Sequence, residues 1–172
     1  MKNPDGNISE VIAPMMAIAM ELDAIIGTLL REKFSMSLAD FKILRAIHML
    51  GACSQLDIAR FNHVTEAAIS KRISALSDDG LIEKQSDSAD KRKSILSLTK
   101  QGKTLMKKLQ GAIIASTESM LADFSKTNRK LTTGLLREIL MMIIKHSPRK
   151  EMLMESKHPV LDRFKSCKVN DN

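Results

Sequence analysis

Aromatic side chains are nearly missing: 172 residues include no Trp, no Tyr and five Phe. A core without large rings must be aliphatic, and the 12 Met residues supply flexible filler that suits packed helices. Proline and glycine are scarce at four and seven, which excludes collagen-like and linker-dominated architectures. The two cysteines, Cys53 and Cys167, lie far apart, form no CxxC pair and follow no secretion signal. A disulfide scaffold is therefore excluded, and a reducing cytoplasm is the expected setting. The four histidines, His48, His63, His146 and His158, fall in no HExxH spacing, and neither a GxSxG nor a Gly-rich phosphate loop occurs. No enzyme activity, metal or cofactor is expected. The apolar run Val11 to Met20 is soon interrupted by Glu21 and Asp23, and no small-residue cleavage site follows it. It reads as too short for a membrane span, so no membrane partner is expected.

What is present is an ordinary soluble composition, 44% hydrophobic and 27% charged, in a chain the size of one domain. The net charge is +7 and the pI about 9.5, which favours polyanionic partners. The excess is uneven. Residues 1–50 and 51–99 are close to neutral, whereas residues 100–172 carry 15 Lys/Arg against 7 Asp/Glu. A solvated basic tail gives the same net charge, so charge alone does not establish nucleic-acid binding.

Hydrophobic periodicity orders the chain. A wide stripe from Ile8 to Arg31 predicts a helix buried on more than one side. A second helix begins with Ser37 as N-cap and Asp40 in an acidic variant of the capping box, and stops at Gly51. Ser54 can cap a short third helix, and Thr65 a fourth from Glu66 to about Ser77. The period then changes to two at Leu81–Lys84 and Ser94–Leu98, which predicts a hairpin around a charged loop. After Thr99 the helical period returns, and a last helix spans about Asn128 to His146, ended by Pro148. The fold class is mainly α with a small β-hairpin wing. A helix-turn-helix followed at once by a hairpin is the winged version of that DNA-binding motif.

In the fourth helix Ile69, Ile73 and Leu76 mark a buried face. The opposite face holds Ala67, Lys71, Ser74 and Ala75, flanked by Ala68 and Ser70. Small residues and one cation suit close approach to a groove floor: alanine can touch a thymine methyl, serine a phosphate and lysine the guanine acceptors. An ordinary solvated face has the same periodicity. At the hairpin tip Lys91, Arg92 and Lys93 stand beside Asp90. A bare charge run is usually a solvated loop, but after a helix-turn-helix an Arg there can enter the minor groove with Asp90 orienting its guanidinium.

The stretch from Leu38 to Gly102 resembles the MarR family of bacterial transcription regulators. The resemblance is carried by Ala39-Asp-Phe-Lys-Ile-Leu-Arg-Ala-Ile-His, by Gln55-Leu-Asp-Ile-Ala, and by Ile69-Ser-Lys-Arg-Ile-Ser-Ala-Leu-Ser-Asp-Asp-Gly-Leu-Ile-Glu-Lys. Most specific is Asp90-Lys-Arg-Lys-Ser-Ile-Leu-Ser-Leu-Thr-Lys-Gln-Gly, with the family's Asp-x-Arg wing and its Leu-Thr-x-x-Gly. The resemblance implies a winged helix-turn-helix domain at 37–99, a helical dimerisation region at 8–31 and 100–146, and a basic tail at 149–172. It further implies a homodimer on a palindromic double-stranded operator, acting as a repressor released by a small ligand. Thr65, Ser70, Lys71, Arg72 and Arg92 would contact DNA. Where the family often has Arg, this chain has Lys71, which cannot make a bidentate fork, while Arg72 is placed for a phosphate. An effector pocket is implied around Met16, Met20, Phe41, Arg45 and His48, the last three at i, i+4, i+7. An Arg beside an apolar wall suits an aromatic carboxylate, although an ion pair with a neighbouring acid would account for Arg45 equally. Two alternatives stay open: a protein–protein adaptor on the same fold, and a thiol-sensing repressor using Cys53.

Overall fold

A computed structural model describes residues 8–86, 94–122, 124–148 and 150–155. The chain divides into two compact units, residues 1–41 and 42–172.

The first unit is dominated by α1 (Ile8–Phe34). Ser35 ends it in the left-handed region (φ 50°), where the Met36 N–H reaches the Leu30 carbonyl at 3.2 Å. The helix outruns the sequence expectation by three residues because Glu32, Lys33 and Phe34 continue the turn without continuing the apolar stripe. Taken as one continuous helix, the 25 residues Glu10–Phe34 are long and apolar enough to cross a membrane by length and composition. Asp23 near the middle would cost about 2.5–3.5 kcal/mol in hydrocarbon. Ser37 then caps α2 (Leu38–Leu50) as expected: its hydroxyl accepts the Asp40 N–H at 3.1 Å and donates to the Asp40 carboxylate.

In the second unit α2 continues to a left-handed Gly51, and β1 (Cys53–Ser54) leads into α3 (Gln55–Asn62). The capping box on α3 is complete: the Ser54 hydroxyl accepts the Asp57 N–H at 3.2 Å, and the Asp57 carboxylate accepts the Ser54 N–H at 3.0 Å. α4 (Glu66–Asp78) follows, then β2 (Ile82–Ser86), β3 (Ser94–Leu98), α5 (Lys100–Met120), α6 (Lys126–Lys145) and α7 (Lys150–Glu155). The sheet is antiparallel in the order β1-β3-β2, with Cys53 opposite Leu96 and Ile82 opposite Leu98. The expected hairpin therefore gains a third strand. Two residues are too few to show a period, and β1 exists only because β3 offers it an edge. α7 is also additional to the elements read from sequence, being one short turn with no long stripe.

α3 packs against α4 and β3, α4 against β2, and α5 against β3. Among the described residues of this unit, Ile43, Leu44, Ile47, Ile58, Ile82, Leu96, Met106 and Leu109 are the largest fully buried side chains. They are aliphatic or Met, as the shortage of aromatics requires.

Candidate nucleic-acid interface

The turn between α3 and α4 is three residues long. His63 takes the left-handed conformation (φ 56°), and the Val64 N–H returns to the Ala59 carbonyl at 3.0 Å. The Thr65 hydroxyl then caps α4 by accepting the Ala68 N–H at 3.2 Å. Across the turn the Gln55 amide donates to the Glu66 carbonyl at 3.1 Å, and the Asn62 amide ties α3 to the Lys42 carbonyl of α2 at 3.4 Å. These bonds fix the direction in which α4 leaves the domain.

On α4 the division into faces is clean. Ile69, Ile73 and Leu76 are buried, at 4–5% exposure. Thr65, Ala67, Ala68, Ser70, Lys71, Arg72, Ser74 and Ala75 are all exposed. Arg72 is engaged in an interaction within the structure. The helix thus presents an unobstructed face of small side chains with Lys71 in its middle, a shape that can lie in a groove about 12 Å wide. Asp90, Lys91, Arg92 and Lys93 lie outside the described residues.

Beside the first turn of α4 opens a cavity of about 640 Å³, reached by Arg60 from α3 and Lys84 from β2, with Asp57 and Glu66 as counter-charges. Neither cation stood out in the sequence. Arg60 is a last-turn basic residue of α3 and Lys84 shares the face of the buried Ile82 on β2, and the packing of α3 on β3, which pairs with β2, brings them to one place.

The residues expected to line an effector pocket are differently exposed. Met16 and Met20 are open to solvent at 62% and 71%. Phe41 is buried at 5%, whereas Arg45 and His48 are exposed. Arg45 already has an interaction partner.

Cys53 is buried in β1. Burial, and secondarily the Asp57 carboxylate, push its thiol up from 9.0 to about 12. A sensing thiol needs the opposite, a depressed value and access to solvent. A pH prediction follows. An unfolded thiol ionises near 9 while the folded one keeps its proton to about 12. The stabilisation is therefore whole below pH 9 and is lost as pH rises between these values, by up to about 1.4 kcal/mol per pH unit. Urea midpoints should fall more steeply above pH 9 in the native chain than in Cys53→Ala. Identical slopes would remove Cys53 as the cause. Among the described residues no cluster of His, Cys, Asp and Glu could hold a metal ion.

Comparison with known proteins agrees with this geometry. Residues 36–94 match the model of the MarR family. The uncharacterized HTH-type transcriptional regulator YwaE of Bacillus subtilis is 27% identical over 106 residues, which are 62% of this chain and 62% of that protein. An uncharacterized HTH-type transcriptional regulator of Bacillus cereus is 26% identical over 124 residues, 72% of this chain and 80% of its own length. Among solved structures, the transcriptional regulator BldR from Sulfolobus solfataricus superposes with a TM-score of 0.64 at 26% identity, over 80% of this chain and 99% of that one. Wild-type MarR from E. coli superposes with a TM-score of 0.70 at 16% identity and the same coverage, a likeness of fold.

Proposed function

We propose that this chain, whose residues 36–94 match the MarR family, is a winged helix-turn-helix transcription regulator of that family, a dimeric repressor that binds a palindromic operator and is released from it by a small ligand. The observation that carries the DNA-binding part is α4. Its apolar residues are confined to one buried face, and the opposite face offers Ala67, Ser70, Lys71 and Ser74 with nothing large in the way. In the proposed complex this face enters the major groove, Lys71 reaches base acceptors and Arg72 a phosphate. The wing cations Lys91, Arg92 and Lys93 take the adjacent minor groove, with Asp90 orienting Arg92.

Lys71→Ala is the direct test. The side chain is exposed, so the fold should be unchanged, while binding to the operator weakens by about 1–3 kcal/mol and discrimination at the contacted base pair relaxes. Fluorescence anisotropy at matched salt, with operator and mixed-sequence duplexes, reads both. Equal weakening on both duplexes would reduce Lys71 to a phosphate contact, and no change on either would remove α4 as the reading element.

Dimerisation is supported by apolar surface with no cover. Met16, Ile18 and Met20 on α1, and Leu131, Leu135, Met142 and Ile143 on α6, are each at least half exposed. Patches of this kind mark sites of association, and a self-complementary pairing gives a two-fold dimer whose symmetry matches a palindromic site.

A further inference from the structure

The last turn of α4, the base of β2 and the first turn of α5 meet at two carbonyl groups. Gly80 follows α4 in the left-handed region (φ 69°), where a side chain would be strained. Its N–H donates to the Ser77 carbonyl at 2.9 Å, and the Leu81 N–H donates to the Leu76 carbonyl at 3.0 Å. These are the paired bonds of a Schellman ending. The Ser77 hydroxyl adds a bond to the Ile82 carbonyl at 3.2 Å, so the start of β2 is held to α4.

The end of β3 is held to the same place by one residue. The Thr99 N–H donates to the Leu81 carbonyl at 3.1 Å, and its hydroxyl donates to the Gly80 carbonyl at 2.6 Å. That hydroxyl also accepts the Gly102 N–H at 3.0 Å, which makes Thr99 the N-cap of α5. Gly102 is buried, and a Cβ there would stand 2.1 Å from the Leu81 oxygen. Only the absence of a side chain lets α5 start this close to β2.

We infer that Thr99 and Gly102 are positioning residues for DNA reading: they clasp both strands of the wing to the end of the recognition helix and so fix the angle between the two. The inference rests on the proposed DNA-binding function. β2 pairs only with β3, and β3 gains only the two-residue β1 on its other side. A ribbon this narrow has little stiffness of its own, so its direction is decided where it is anchored. With the Thr99 hydroxyl gone, β3 keeps its backbone bond to the Leu81 carbonyl but loses its tie to Gly80, while β2 keeps its own, and the hold on the ribbon's direction loosens.

Thr99→Val removes the hydroxyl at nearly constant volume, and Thr99→Ser restores it. Two readouts separate the clasp from the function it serves. Amide hydrogen exchange of the free protein should show the β2 and β3 amides exchanging about tenfold faster in Thr99→Val, the size expected if the two hydrogen bonds of that hydroxyl are together worth about 1.4 kcal/mol, with α3 and α4 unchanged. Affinity for the duplex that the wild type selects from a random pool should fall by about tenfold on the same arithmetic, with affinity for mixed-sequence duplex unchanged. Thr99→Ser should restore both, and Gly102→Ala should exceed Thr99→Val in both. Unchanged exchange in Thr99→Val overturns the clasp. Faster exchange with unaltered operator preference makes Thr99 structural only and overturns the positioning role. A wild-type protein that selects no duplex overturns the DNA-binding reading, and the inference with it.

Discussion

Replacing Leu131 and Leu135 together by Glu should turn a dimer of about twice 19.1 kDa into a monomer and remove operator binding. The two side chains lie four residues apart on α6, so they share one face, and they are 67% and 55% exposed. Gly134 leaves that face hollow, since no atom lies within 4 Å of the position a Cβ would take. The hollow is about 600 Å³, with Leu131 and Leu135 in its lining. Exposure matters to the logic of the test. Because neither leucine is covered within the chain, charging them leaves the monomer fold intact, and any loss has to come from association. In a two-fold dimer each leucine would contribute about 1.5–3 kcal/mol of burial, whereas four glutamates would have to be stripped of water. The loss of two-site engagement on the operator alone is worth roughly 10²–10⁴ in affinity. Light scattering at micromolar concentration and a gel shift measure the two effects. A variant that stays dimeric would move the interface elsewhere, and a wild-type monomer would end the two-half-site reading.

Ile58→Ala should remove a large part of the stability of the second unit. Ile58 is fully buried, at 0% exposure, on a helix that packs against both α4 and β3. Truncating such a side chain leaves a cavity and costs about 2–5 kcal/mol, a large part of the 5–15 kcal/mol typical of a domain. Alanine is the better helix former and the Ser54–Asp57 capping box is untouched, so α3 itself is not weakened. The whole effect would be packing lost between elements. Urea denaturation followed by circular dichroism should show a lower midpoint with an unchanged slope. A shift equivalent to less than about 1 kcal/mol would mean the site collapses around the smaller residue, which is the low-cost case of core truncation.

The sequence by itself determined the elements that carry a long period or a cap, and the faces of α4. Ile69, Ile73 and Leu76 are buried because a helix that closes a small domain must turn its one apolar stripe inward, and the stripe is written in the spacing. Ser37, Ser54 and Thr65 cap α2, α3 and α4 because a hydroxyl three residues before an unpaired N–H satisfies it locally, whatever lies elsewhere in the chain. Tertiary structure alone decided what depends on distant neighbours. β1 is a strand only because β3 lies beside it. Arg60 and Lys84 come to line one cavity through the packing of α3 on β3, which pairs with β2. Thr99 and Gly102 show both levels at once. Their three-residue spacing announces a helix start, but the reason position 102 admits no side chain is the Leu81 carbonyl, 21 residues back in the chain and 2.1 Å from where a Cβ would stand. Local hydrogen bonding and periodicity are short-range and leave their mark in sequence, whereas close approach between segments is settled by packing, which no single stretch of sequence encodes.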